Sequence, residues 1–166
     1  MDEKNTPPAG AQDAQTTKAR LAIKRVYVKD VSFEVPAGAQ AFARQWQPRV
    51  DQDLATKVNK LGDDQYEVVL AITVSVREEE QVLCVAEVEQ AGIFMVAGVE
   101  GENLARTLNT QCPAILFPYA RELIDSLVVR GTLPALMLPP VNFDALYQQI
   151  LAEQQKTRDE QPKTLN

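Results

Sequence analysis

The chain has 166 residues, 45% of them hydrophobic, and a formal net charge of −6, which fits one domain with a real core. The acidic balance disfavours nucleic acid and anionic membrane surfaces, which need clustered Lys and Arg, and suits a basic partner. There is no histidine and there are only two cysteines, Cys84 and Cys112; this excludes Ser-His and Cys-His nucleophile pairs, histidine-containing zinc sites and an all-cysteine tetrahedral site within one chain. Carboxylates and lysines remain as possible catalysts. None of the three serines sits in a GxSxG elbow. The two lone thiols read as buried, reduced side chains.

Residues 1–18 are polar and contain Pro7, Pro8 and Gly10. They read as a disordered arm, and they lack the apolar run of an export signal. Residues 155–166 read as a second disordered tail, leaving a domain over 19–154.

Residues 20–35 alternate, with Leu21, Ile23, Tyr27, Val31, Phe33 and Val35 expected on one face and Lys24, Asp30, Ser32 and Glu34 on the other. Residues 66–77 alternate more cleanly, and 81–90 place Val82, Cys84, Ala86 and Val88 together. Period two with β-branched residues predicts half-buried strands. Glu78-Glu79-Glu80 predicts a tight antiparallel hairpin. A weaker strand is expected over 50–56.

After Gly98 the period changes. Leu104, Leu108 and Cys112 predict a short helix ended by Pro113. Pro118 suits the first turn of the next helix, which stops at Gly131. That helix is apolar nearly all round, so one sheet cannot cover it, and a second subunit is expected on its other side. LPALMLPPV over 133–141 is a proline-broken connector, and Asn142 is placed to cap an amphipathic helix through Phe143, Leu146, Tyr147, Ile150 and Leu151. Strands first and helices after predict an α+β fold with an antiparallel sheet and helices on one face.

Three features stand out. Gly98-Val99-Glu100-Gly101 has the spacing of a nucleic-acid-clamping GxxG loop, but its acid repels phosphate, and a strand-to-helix turn explains the glycines. Asp30 with Glu34, and Glu87 with Glu89 beside Leu83 and Val85, form either a docking face for a basic partner or an ordinary solvated strand face. Phe42, Trp46, Pro48 and Val50 put large apolar groups in a long connection, where they either pin the loop to the core or line a groove.

Six ordered stretches, YVKDVSFEVP, WQPRV, YEVVL, QAGIFMVAGVEG, CPAILFPYAR and LPPVNFDALY, resemble the SecB family of bacterial export chaperones over about residues 21–152. The resemblance implies a cytoplasmic homotetramer, a dimer of dimers. Each subunit would have a four-stranded antiparallel sheet, a long helix and a shorter C-terminal helix, with no cofactor or metal. It implies binding of unfolded secretory precursors without ATP, in a groove carried here by Phe42, Trp46, Val50, Leu54, Phe143, Leu146, Tyr147 and Ile150. Transfer to the SecA motor would use Asp30, Glu34, Val85 and Glu87 against SecA's basic, zinc-bearing tail. Tyr119, Leu123, Ile124 and Leu127 would face other subunits across the long helix. Gln52 departs from the pattern, standing where relatives often carry an apolar residue.

Overall fold

The computed structural model describes residues 19–43, 47 and 49–160. Four strands, β1 (Arg20–Glu34), β2 (Arg49–Gly62), β3 (Gln65–Glu78) and β4 (Gln81–Ala97), precede three helices, α1 (Gly101–Asn109), α2 (Gln111–Arg130) and α3 (Phe143–Glu160). The strands form one antiparallel sheet in the order β1-β4-β3-β2, so β1 and β2 are its edges. This is the α+β arrangement expected, with the helices on one face.

The alternation of β3 decides that face. Val68, Leu70, Ile72 and Val74 are fully buried beneath Cys112, Leu116, Ala120, Ile124 and Val128 of α2. These five α2 residues recur every fourth position, which makes one stripe along a helix. Phe94 and Val96 of β4 and Leu108 of α1 complete the core. The two-residue turn at Glu79-Glu80 closes β3 onto β4, with Glu78 paired to Gln81, as the acidic triplet predicts. Gly98 and Gly101 both take positive φ, 72° and 56°, so the GxxG spacing is a strand-to-helix turn.

The structure corrects several expectations. Strand β1 carries two register shifts, between Ile23 and Arg25 and between Val28 and Asp30. Each bulge inserts one residue, Lys24 and Lys29, and reverses the side-chain phase. Leu21, Ile23, Val26, Val28, Val31 and Phe33 therefore face the helices, while Tyr27 points to the opposite face. The core side of the second bulge is satisfied by buried Gln90, whose Nε2 donates to the Tyr27 carbonyl at 2.8 Å.

Pro113 begins the long helix rather than ending the short one. It sits in the first turn of α2, where no intrahelical donor is needed, and Pro118 lies inside the helix at an exposed position. Strand β2 is twice the expected element, continuing to Gly62 through polar residues. Helix α3 runs to Glu160 instead of fading near residue 154. Residues 152–158, mostly good helix formers, continue the helix with exposed side chains, and Gln149 is bonded to Glu153 at 3.1 Å. The Asn142 cap is as expected: its Oδ1 accepts from the Ala145 N–H at 3.0 Å.

Candidate functional site

Two surfaces and one strip of apolar residues stand out. The first is a groove between β2 and α3. Helix α3 is placed by its own start: Asn142 caps it, Phe143 is 5% exposed, and the Arg106 guanidinium on α1 holds Asp144 at 2.8 Å. This anchoring lays Leu146, Tyr147 and Ile150 opposite Leu54 and Thr56 of β2, around a cavity of about 330 Å³ that also touches Ala55, Asn109 and Leu151. Four of the expected groove residues, Leu54, Leu146, Tyr147 and Ile150, are thus brought together by elements far apart in sequence.

The others are distributed differently. Val50 lies further along the same helix-facing row of β2 and is exposed. Phe42 ends a 3-10 turn, Gly38–Phe42, with its ring 54% exposed while neighbouring Ala41 is buried. Trp46 falls outside the described residues. Phe143 is a correction: it packs edge-to-face on Phe117, ring centroids 5.9 Å apart, inside the core. Its position at the first turn of α3 turns it under the helix, so it anchors the groove wall instead of lining the groove.

The connector after α2 borders this region. Asp125 Oδ1 accepts from the N–H groups of Leu136 and Met137 at 3.0 and 3.1 Å, and Leu133 and Leu136 pack on buried Val76, Leu83 and Cys84. Met137 is left 76% exposed at φ 50°. Sequence reasoning named the connector as apolar but missed Met137, because only the backbone geometry turns that side chain outward.

The second surface is the sheet face away from the helices. Pairing aligns residues in rows across all the strands: Asp51, Ser75, Val85 and Glu34; then Asp53, Thr73, Glu87 and Ser32; then Ala55, Ala71, Glu89 and Asp30. All four residues expected to meet SecA, Asp30, Glu34, Val85 and Glu87, lie in these adjacent rows. Glu89, Asp51 and Asp53 enlarge the set; the last two went unnoticed because the β2 pattern is too polar to assign a face. Asp30 stands directly opposite Glu89, a like-charge pair that costs stability. Lys57 offsets part of it with an ion pair to Glu89 at 2.8 Å, which raises the Lys57 pKa through that hydrogen bond.

Beside the acidic rows, Glu67 of β3 accepts hydrogen bonds from Tyr27, Asn59 at 2.7 Å and Lys29 at 3.0 Å. Its carboxyl is held down at about 2, first by Tyr27, then by Asn59 and Lys29. The cluster reaches from β1 over β4 to β3 and β2, and small Ala91, paired with Tyr27, leaves room for the ring. Tyr27, displaced by the β1 bulges, is thereby a strut on the outer face.

The third feature is the apolar strip beyond the helical layer. Ile23, Val28 and Val31 of β1 face the helix side yet remain 43–48% exposed, and Tyr119 and Val129 of α2 are also exposed. Tyr119 and Leu123 line a hollow of about 500 Å³ with Val26 and Val28. Of the four residues expected at an interface, Tyr119, Leu123 and Leu127 keep accessible surface, but Ile124 is fully buried in this chain's own core. It belongs to the every-fourth-residue stripe that meets β3, so it is not available to another subunit.

An open sheet with an apolar groove on one side and rows of carboxylates on the other defines a protein-binding scaffold. Residues 14–154 match the family described as Preprotein translocase subunit SecB. The chain is 53% identical over 155 residues to the protein-export protein SecB of Saccharophagus degradans, covering 92% of each chain. It is 49% identical over 146 residues to that of Marinobacter nauticus, covering 88% of each. A SecB-like chaperone of Mycobacterium tuberculosis, solved with a peptide from the HigA1 antitoxin, shares the fold with TM-score 0.59 and 21% identity, over 74% of this chain and 88% of that one. The chain belongs to the SecB family, whose members are chaperones of protein export.

Proposed function

We propose that this chain is an ATP-independent export chaperone of the cytoplasm. It binds secretory precursors before they fold and passes them to the SecA motor. The observation that carries this reading is the meeting of Leu54 with Leu146, Tyr147 and Ile150 around one cavity. An unfolded chain exposes apolar side chains that a native one hides, so an apolar groove selects by accessibility. Each subsite that buries one large side chain contributes about 1.5–3 kcal/mol before ordering costs. Several such subsites in one assembly add through effective concentration.

Assembly as a homotetramer, a dimer of dimers, is supported by the uncovered Ile23, Val28, Val31 and Tyr119. Docking on SecA is supported by the carboxylate rows, which suit a basic tail and predict an affinity that falls with salt. Among the described residues no helix is long and apolar enough to cross a membrane.

The test is calorimetric titration with one secretory precursor, held unfolded by mutation and then native. Binding of the unfolded form alone, near one client per tetramer, supports the reading. Equal binding of both forms, or of neither, refutes it. For the handover, the combined variant Asp30→Asn, Glu34→Gln, Glu87→Gln should bind the precursor normally and SecA weakly. Unchanged SecA binding would remove the acidic face from the proposal.

A further inference from the structure

A second, smaller core lies at one end of the sheet. Val76 of β3 and Leu83 and Cys84 of β4 form it, all buried and apart from the main cluster. Strand β4 enters it through a bulge: Cys84 pairs with Val76 but Val82 pairs with Arg77, so Leu83 is an extra residue and two consecutive side chains point into one core. Two segments far apart in sequence lie on it. The first is the start of the connection from β1 to β2. Val35 and Ala37 pack on the core, and their carbonyls accept from the Gly38 and Gln40 N–H groups at 2.9 and 3.1 Å, so the turn that carries Phe42 is built directly on them. The second is the connector after α2, through Leu133 and Leu136. The same hairpin also takes the far end of the first segment, where Glu78 Oε1 accepts from the Gln47 N–H at 2.9 Å.

We propose that this end of the β3–β4 hairpin is a positioning element for client binding: Leu83 and Cys84 hold the β1–β2 connection and the connector as one unit, so that Phe42 and Met137 shift together or not at all. Neither Leu83 nor Cys84 touches the client; both act through the segments that they carry. The inference rests on the groove reading above and adds a device that sets the groove's outer border.

Size, strain and place support the assignment. A core of three buried residues cannot repack around the loss of one covering side chain, so lifting either segment exposes the floor of the other. Phe33 joins the two routes. It packs on both cores two residues before Val35, and it stands under Gly131, where an added Cβ would lie 2.6 Å from its ring. The connector is also held in a shape that it would not keep alone. Thr132 and Met137 take φ of 61° and 50°, in the left-handed region that residues with a Cβ avoid, and Asp125 fixes the second through the Leu136 and Met137 N–H groups. Such strain persists only where the surroundings impose it and relaxes when they loosen. The small core is one strand inward from the groove: Val76 pairs directly with Val50, an exposed residue of its β2 row.

The experiment changes one segment and reads the other. It uses the full-length protein with Leu136→Ala, with Val35→Ala, and with both. NMR follows amide exchange at Gly38 and Gln40 in the first segment and at Met137 in the second. The Val96 amide, bonded to the Asp64 carbonyl at 2.8 Å at the opposite end of β4, is the internal reference. Leu136→Ala is expected to speed exchange at Gly38 and Gln40 about tenfold, and Val35→Ala to speed Met137 by a similar factor, with Val96 unchanged. Should Leu136→Ala disturb Val96 as well, the milder Leu136→Val is read in its place. The Kd for one secretory precursor, held unfolded by mutation, should rise about threefold to tenfold in each single variant and no further in the double, because both release the same unit. Exchange confined to the altered segment, or affinity losses that multiply in the double variant, overturns the proposal and leaves the chaperone reading standing. Linked exchange with unchanged precursor affinity overturns the positioning role alone. A wild-type protein that ignores the unfolded precursor removes the groove reading and this proposal with it.

Discussion

Gly92 of β4 and Leu116 of α2 stand so close that a Cβ on Gly92 would lie 3.0 Å from Leu116 Cδ2 and 2.6 Å from the Phe94 ring. The glycine lets the long helix settle onto the sheet at the centre of the core. Gly92→Ala is expected to cost about 1–3 kcal/mol, since both neighbours are themselves fully buried and cannot yield freely. Urea denaturation measures it; an unchanged midpoint would mean that α2 can shift without loss.

Phe143 and Ile150 lie on one helix but should separate stability from binding. Phe143→Ala removes a core ring and is expected to cost about 3–5 kcal/mol. Ile150→Ala, at a position 40% exposed, should leave the unfolding midpoint nearly in place and weaken binding of unfolded precursor. Titration beside denaturation for both variants checks the pair, and the opposite assignment would place Phe143 in the groove after all.

Gln52 lies on the helix-facing row of β2 with its Nε2 enclosed and without a hydrogen-bond partner. An enclosed amide lacking a partner costs about 1–3 kcal/mol. Gln52→Leu should therefore raise stability by about 1 kcal/mol, seen as a higher Tm. A lower Tm would show that the amide finds a partner in solution.

Glu67 makes stability depend on acid. Its folded pKa, about 2, lies below the ordinary carboxylate value of 4.5, so its contribution is full above about pH 5 and is lost as pH falls toward 2. The carboxylate keeps some contact with solvent, at 12% side-chain exposure, so the contribution is about 1–2 kcal/mol after screening. Wild type should be more stable than Glu67→Gln at pH 6, with the difference shrinking toward pH 2.5. A constant difference across that range would assign the effect to packing.

Much of this was legible in the sequence because β3 and α2 obey one periodicity each. Val68 to Val76 alternate without a break, and Cys112, Leu116, Ala120, Ile124 and Val128 recur every fourth residue. The phase of β1 was not legible past Lys24, because a bulge has no composition of its own and shows only once β4 is paired beside it. Proline misled at residue 113 for a related reason: the same ring that stops a helix from within starts one from its first turn. In the site, Leu54 and Tyr147 could be named separately, but their meeting depends on where Phe143 anchors α3. The share of each apolar stripe taken by this chain's own core, which removed Ile124 and Phe143 from the surface, is a property of packing and not of pattern.

The two thiols lie beneath different coverings. Cys112 sits under the start of α2, its thiol pushed up to about 12 by burial. Cys84 lies under Leu133 and Leu136 of the connector, its pKa also raised by burial. Both are inert to alkylation while covered, because only the thiolate reacts. The chain thus carries two internal clocks: the labelling rate of Cys84 times the lifting of the connector, and that of Cys112 times the lifting of the long helix. A client whose arrival quickens the first clock and leaves the second alone would show that the protein loosens its rim while its centre stays shut.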